Sequence, residues 1–185
     1  MCKLALILAL FAAPATAQDS AGPNLVIDVS GEANGRIVID LLEDVAPQHV
    51  AQISALAEEG AYNGVVFHRV IEGFMAQTGD VECGRADASC PAGVGGSDRP
   101  DIPAEFSDVP YDRGVVGMAR SQSPNSANSQ FFIMFDAGHF LNGQYTVVGR
   151  VIEGMEIVDA IKRGTGQNGA VVGLPDVMEN VSVER

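Results

Sequence analysis

The run Phe67-His68-Arg69-Val70-Ile71-Glu72-Gly73-Phe74-Met75-Ala76-Gln77-Thr78-Gly79-Asp80 sets one permanent cation and one amide among large apolar side chains. It holds no obvious nucleophile and no cluster of metal ligands. Arginine stays charged and presents a rigid fork of donors. Residues of these types suit a site that binds something greasy with an amide inside it and polarises that amide. A second segment repeats the pairing. In Gln130-Phe131-Phe132-Ile133-Met134-Phe135 an extended chain puts Phe131, Ile133 and Phe135 on one face and Gln130, Phe132 and Met134 on the other. If the first set fills a core, the second leaves an apolar strip beside a glutamine. Met75 and Gln77 share a face in the same way. The plain alternative is that helices or loops cover both strips.

Such strips need strands to carry them, and hydropathy patterning supplies them. Leu25, Ile27 and Val29 alternate with Val26 and Asp28, and Ile37, Ile39 and Leu41 alternate with Val38 and Asp40. These are two half-buried strands joined by a turn over Ser30 to Gly35. Pro47 opens a helical stretch with Val50, Ile53, Leu56 and Ala57 on one face, and Gly60 ends it. Further strands are predicted at Val65–Val70, Phe74–Thr78, Val115–Ala119, Gln130–Phe135, Thr146–Val151 and Val177–Val183. A second short helix follows Gly154, with Met155, Val158 and Ile161 on one stripe and Gly164 after it. The expectation is a mainly β protein: a closed antiparallel β-barrel of about eight strands with two α-helices over its ends.

The N-terminus reads as an address. Lys3 precedes the apolar run Leu4 to Ala13 and the small-residue site Ala15-Thr16-Ala17, the pattern of a secretory signal peptide cleaved after Ala17. The run is about half of the roughly 20 residues a membrane span needs. Residues 1–17 are therefore expected to be removed, leaving 18–185 as a single exported domain with no stable membrane insertion. Cleavage removes Cys2 and leaves Cys83 and Cys90, separated by a polar stretch, in a compartment where disulfides persist. A loop-stapling disulfide is the preferred reading over free thiols or zinc, since His49, His68 and His139 are scattered and no Cys-x-x-Cys spacing exists. Formal charge is −13 over 185 residues, and loss of Lys3 makes it −14. Such an acidic surface argues against nucleic acid and anionic membranes as partners.

The opening run also resembles the signature segment of the cyclophilin family of peptidyl-prolyl isomerases. So do Gly114-Val115-Val116-Gly117-Met118-Ala119-Arg120, Asn128-Ser129-Gln130-Phe131-Phe132-Ile133 and Phe140-Leu141-Asn142-Gly143-Gln144-Tyr145-Thr146-Val147-Val148-Gly149-Arg150-Val151, then Gly154-Met155. Their order and spacing are similar to the family's from about Asn24 to Val183. The resemblance implies an eight-stranded barrel capped by two helices with a proline site on its outer face. It implies no cofactor, because no bond is made or cut. The expected partners are proline-containing polypeptides, unfolded exported proteins among them, and the chain is expected to be a monomer.

Carried over residue by residue, Arg69 matches the catalytic arginine. Phe74, Met75, Phe132 and Leu141 match the walls around the proline ring, and Gln77 and Gln130 the flanking glutamines. Ala119 with Arg120 matches the segment whose backbone binds substrate. His68 matches a histidine beside the arginine, more a packing residue than a proton carrier. Phe140 matches an aromatic wall and Tyr145 the rim. Phe140 stands where many eukaryotic members have tryptophan, so an indole donor is missing and cyclosporin binding is expected to be weak. Tyr145 stands where many have histidine. Both resemble the bacterial periplasmic branch, which makes the periplasm the expected location. Arg120 replaces a common asparagine and is expected to act mainly through its backbone. The segment Glu82 to Asp101, with Gly93-Val94-Gly95-Gly96, departs most from the family. It reads as a flexible loop instead of a phosphate cradle, since no Gly-Lys-Ser/Thr follows. The competing reading is a proline-binding or holdase-like module whose isomerase activity is incidental or absent.

Overall fold

A computed structural model describes residues 22–185, so the expected signal segment lies outside the described residues. The chain runs β1 (Asn24–Ser30), β2 (Gly35–Leu41), α1 (Pro47–Glu58), β3 (Val65–Val66), β4 (Arg69–Ile71) and β5 (Met75–Thr78). It continues through β6 (Val115–Met118), β7 (Phe131–Met134), β8 (Val147–Glu153), α2 (Met155–Ala160) and β9 (Val177–Glu184). Short 3-10 turns occupy His139–Leu141 and Gln167–Gly169. The strands form one antiparallel, curled sheet in the order β3-β9-β1-β2-β8-β6-β7-β5-β4. Among the described residues no helix is long and apolar enough to cross a membrane.

The predicted strand Val65–Val70 is two strands, which makes nine instead of eight. Its backbone leaves β9 after Val66 and joins β5 only at Arg69. Between them, the Val66 N–H goes to the Gly84 carbonyl, its carbonyl accepts from the Thr78 hydroxyl, and the Phe67 N–H goes to Asp176 O. With those groups taken, β3 and β4 cannot form one continuous ladder, and the two ends of the sheet meet through this stretch of chain without pairing. The second helix is also shorter than predicted. Ile161 is already extended, and the Lys162 N–H donates to the buried Asp176 carboxylate at 2.6 Å, which draws the chain off the helix axis.

Alternation along the strands fills the interior of the curl. Leu25, Ile27, Ile37, Ile39, Phe131 and Ile133 pack there with Val50, Ile53 and Leu56 of α1. No side chain of α1's own N-terminus caps it, because its N-cap is Ala46. Instead the distant Glu105 carboxylate accepts the N–H groups of Gln48 and His49, each at 3.1 Å, and meets His49 Nδ1 at 2.6 Å. A carboxylate there satisfies orphan donors and faces the positive end of the helix dipole. The helix closes as a Schellman turn, with Ala61 N–H to Leu56 O and Gly60 N–H to Ala57 O.

Candidate active site

A second, smaller apolar cluster lies on the outer surface of the same sheet: Met75, Tyr111, Val115, Phe132, Met134, Leu141 and Val147, with Phe74, Ala119 and Tyr145 packed against it. The period of two puts Phe132 and Met134 of β7 here while Phe131 and Ile133 face inward, as the alternation predicted. Register then adds β5, where Gln77 pairs with Phe132 and Met75 with Met134, and Arg69 of β4 pairs with Gln77. Three neighbouring strands thus set Arg69, Gln77 and Phe132 in a row.

Above this floor opens a cavity of about 250 Å³ lined by Arg69, Phe74, Met75, Gln77, Ala119, Arg120, Phe132, Phe140, Leu141 and Tyr145. That is below the roughly 300–1,000 Å³ of drug-sized sites and suits one compact apolar group. Phe74 and Phe140 lie ring to ring at 5.6 Å on one side, and Tyr145 stands edge-on to Phe132 at 5.9 Å on the other. Phe140, two-thirds exposed, forms an outer wall.

Arg69 is oriented before any ligand arrives. Its Nη1 donates to Gln77 Oε1 at 3.1 Å, its Nε to the Asn168 carbonyl at 3.0 Å, and its Nη2 to Asn168 Oδ1 at 3.2 Å. Burial lowers its pKa and nearby Tyr145 opposes that shift, yet a guanidinium remains a cation throughout the ordinary range. The result is a fixed cation at the lip of an apolar cavity, with donors left over.

Beside this cavity lies a polar groove of about 440 Å³, bounded by Gly93–Ser97, Ser121, Asn128 and Gln130, and sharing Gln77, Ala119 and Arg120 with the first. A polypeptide crossing from one to the other would pass over Ala119, whose N–H is already given to the Gln130 carbonyl at 2.9 Å. Gln130 lies in the groove instead of the cavity and reaches the cavity through Gln77, whose Nε2 donates to Gln130 Oε1 at 3.0 Å.

These observations fit a site for a greasy group attached to an amide, and comparison with known proteins agrees. The model of the family "Cyclophilin type peptidyl-prolyl cis-trans isomerase/CLD" matches residues 25–183. The chain belongs to the cyclophilin family. It is a peptidyl-prolyl cis-trans isomerase of that type. It is 61% identical over 155 residues to a probable peptidyl-prolyl cis-trans isomerase of Brucella suis, covering 82% of this chain and 79% of that one. It is 36% identical over 162 residues to peptidyl-prolyl cis-trans isomerase B of Escherichia coli, covering 81% of this chain and 94% of the relative. The crystal structure of a Cryptosporidium parvum cyclophilin-type isomerase in the presence of the dipeptide Ala-Pro aligns with a TM-score of 0.75 at 26% identity, covering 88% of this chain and 99% of that one.

Nearly all the residues singled out in the sequence gather in this cyclophilin's cavity and groove, with one exception. His68 lines neither. Its two ring nitrogens are sealed from solvent, and the ring lies against Gly93, where an added Cβ would come within 3.1 Å of Cδ2. Burial lowers its pKa, against the opposing pull of Asp80, and so favours the neutral ring. Arg120 lines both, and its side chain makes contacts of its own. Its guanidinium lies 4.3 Å over the Tyr145 ring, with Nη2 donating to Gln144 O at 3.1 Å and Nη1 to Ser121 O at 3.0 Å. It clamps the two rims together. The cysteine pair is bonded as Cys83–Cys90, with Cα atoms 5.2 Å apart. Among the described residues no group of three or more His, Cys, Asp or Glu is placed to hold a metal ion.

Two contributors escaped the sequence reading. Tyr111 is fully buried and stacks on the far face of Phe132 at 5.8 Å, and burial raises its phenol pKa far above the ordinary range. Both rings press on Gly117, where an added Cβ would come within 2.3 Å of the Tyr111 hydroxyl and 2.6 Å of Phe132 Cζ. A glycine inside a strand was the available signal of such close approach. Asn168, which holds two of the Arg69 nitrogens, has a left-handed backbone at φ 55°. Its signal was the Asn168-Gly169 turn pair.

Proposed function

We propose that this cyclophilin accelerates rotation about X–Pro bonds of exported polypeptides in a bacterial periplasm, with Arg69 as the residue that favours the twisted amide. The observation that carries the reading is the Arg69 guanidinium, held by Gln77 and Asn168 at the lip of an apolar cavity sized for one ring.

Rotation about an amide meets a barrier of about 18–20 kcal/mol because resonance stiffens the C–N bond. At the top of that barrier the nitrogen has regained its lone pair. The cavity grips the proline ring through Phe74, Met75, Phe132 and Leu141 and excludes water, which strengthens electrostatic interactions inside it. The preceding carbonyl swings over the groove side. Arg69 donates to the proline's own carbonyl oxygen and to its nitrogen as the lone pair localises. Only interactions stronger in the twisted state raise the rate, about tenfold for each 1.36 kcal/mol. No proton is transferred, which agrees with a His68 that lines neither cavity nor groove.

The clients are unfolded exported chains, met as a monomer. The signal pattern at residues 1–17 and the branch-like Phe140 and Tyr145 support export. The N-terminal sequence of the protein recovered from the periplasmic fraction should begin at Gln18, and a cytoplasmic protein with intact residues 1–17 would refute that part.

A proline-peptide isomerisation assay on wild type, Arg69→Ala and Arg69→Lys tests the mechanism. Wild type should exceed the thermal rate strongly, and Arg69→Ala should lose most of that excess while keeping peptide binding. Lysine should restore little, because it lacks the planar fork. A wild type without acceleration would leave only the proline-binding reading, and a fully active Arg69→Ala would remove Arg69 from the mechanism.

A further inference from the structure

The two site glutamines form a relay that ends on the disulfide loop. Arg69 Nη1 donates to Gln77 Oε1 at 3.1 Å, Gln77 Nε2 to Gln130 Oε1 at 3.0 Å, and Gln130 Nε2 to the Gly95 carbonyl at 2.8 Å. An amide side chain can present either its oxygen or its NH2, and the surrounding network decides which. A backbone carbonyl only accepts. Gly95 therefore obliges Gln130 to turn its NH2 outward and its oxygen to Gln77. Gln77 must then offer its NH2 to Gln130 and its oxygen to Arg69. Arg69, which only donates, asks for the same orientation at the other end, and without the Gly95 acceptor it would hold both amides alone.

What holds the Gly95 carbonyl in place is built for the purpose. The Asp80 carboxylate is fully buried. Its Oδ1 accepts the Cys83 N–H at 2.8 Å, and its Oδ2 accepts those of Gly93 at 2.7 Å and Gly95 at 3.0 Å. The Cys83–Cys90 disulfide closes the loop between these contacts. Gly95 fits directly between carboxylate and disulfide, since a Cβ there would lie 2.5 Å from Asp80 Oδ1 and 2.9 Å from Cys83 Sγ. Arg85 ties the start of the loop to the carbonyls of Ala61 and Asn63.

We propose that Asp80, Gly95 and the Cys83–Cys90 bond are positioning elements for the isomerase reaction, fixing through Gln130 and Gln77 the orientation of Arg69. The proposal rests on Arg69 being the catalytic residue. It makes the oxidised loop a requirement for full turnover and reduced protein a slower enzyme. Reduction by a dithiol moves two electrons and two protons to the loop. The Sγ–Sγ bond breaks, two thiols form, and the dithiol closes to its own disulfide. Cys90 is only half-buried and its loop is exposed, so the bond is reachable.

The test compares oxidised wild type, wild type reduced with dithiothreitol, Cys83→Ala/Cys90→Ala, and Gly95→Ala, which keeps the disulfide but displaces the carbonyl. Each is assayed for kcat and KM on a proline tetrapeptide and for the Arg69 Nε–H signal in a 1H–15N spectrum. Reduction should lower kcat about three- to tenfold, the effect of one misplaced hydrogen bond, with KM nearly unchanged and the Arg69 signal shifted. The double variant should show the same loss and ignore the reductant. A loop that merely aids folding would lower stability and leave kcat and the Arg69 signal of the folded protein alone. Unchanged kcat after thiol titration shows both cysteines reduced would overturn the proposal. Should the reduced protein unfold, Gly95→Ala decides: lowered kcat supports the inference and wild-type kcat refutes it. An oxidised wild type with no activity would instead sink the isomerase reading, and the Arg69 signal would still report whether the loop orients it.

Discussion

Phe131 and Phe132 are neighbours on β7 with different fates. Phe131 points into the curl of the sheet, where Tyr62 meets its ring edge-on at 5.8 Å and the surrounding residues are sealed from water. Phe132 points outward, backed by Tyr111 and flanked by Tyr145, but its remaining side is cavity. Both are nearly inaccessible, so burial alone does not separate them. What separates them is what each side chain lacks: the inner ring has protein on every side, whereas the outer ring leaves room for a guest. The inner cluster stabilises the fold, and the outer cluster is a surface that the fold holds open.

The sharpest way to break that contrast is to truncate each ring in turn. Phe131→Ala should destabilise the protein by about 3–5 kcal/mol, as a core cavity does, while the molecules that remain folded isomerise at a near-normal rate. Phe132→Ala should cost less stability and raise KM, because one side of the ring already faces a cavity. Denaturant unfolding and steady-state kinetics on both variants read the two effects separately. Similar losses of activity and stability at the two positions would erase the distinction.

Arg69→Ala comes next. It should reduce kcat/KM about 10²- to 10³-fold, the effect of removing a preorganised donor from a transition state, with little change in unfolding midpoint. Glu105 then tests the inner cluster from the side of α1. Burial alone would raise its pKa, but the His49 side chain and the His49 and Gln48 N–H groups outweigh that and hold it below the ordinary carboxylate value. Because the folded pKa is depressed, this stabilisation is present above the unfolded value of about 4.3 and is lost as pH falls through the folded one. Glu105→Gln should cost about 1 kcal/mol at neutral pH, typical of a lost helix cap, and should flatten the acid limb of the stability curve.

The smallest effects belong to the rim and to His68. Arg120→Asn should raise KM about two- to threefold by freeing Tyr145, with a modest fall in kcat, and Arg120→Lys should not restore the fork of donors. Burial lowers the His68 pKa, so its neutral form favours the folded state. That contribution is full above the unfolded value of about 6.5 and fades as pH falls through the folded one. Melting temperatures between pH 7 and 5 should decline slightly in wild type and less in His68→Gln. Over the same window kcat of the folded enzyme should stay level, and a kcat tracking His68 ionisation would give the ring a catalytic part.

Much of the outer cluster was legible because it lies on strands. Period two in Gln130–Phe135 assigned Phe131 and Phe132 to opposite faces before any contact was known, and the same rule paired Met75 with Gln77. The long motifs of the family resemblance carried Phe140, Leu141 and Tyr145. The strand break at Phe67-His68 was not legible, since Val65–Val70 has the length and β-branched and aromatic content of one strand and only Thr78, Gly84 and Asp176 interrupt it. The early end of α2 has the same origin in the Asp176 carboxylate. Both involve polar partners far away in sequence.

Residue order alone sets the pattern of faces, the types of residue available at the site and the family whose chemistry they suit. These follow from local periodicity and from ordered motifs, neither of which needs long-range distances. How Arg69 is held emerges from the folded chain. Asn168 reaches it from 99 positions away, and the glutamine relay runs across 53 positions to Gln130 and a further 35 back to Gly95. A hydrogen bond depends on distance and direction to within a few tenths of an ångström. Such a condition is set by the packing of strands and loops together, and no local pattern of residues encodes it.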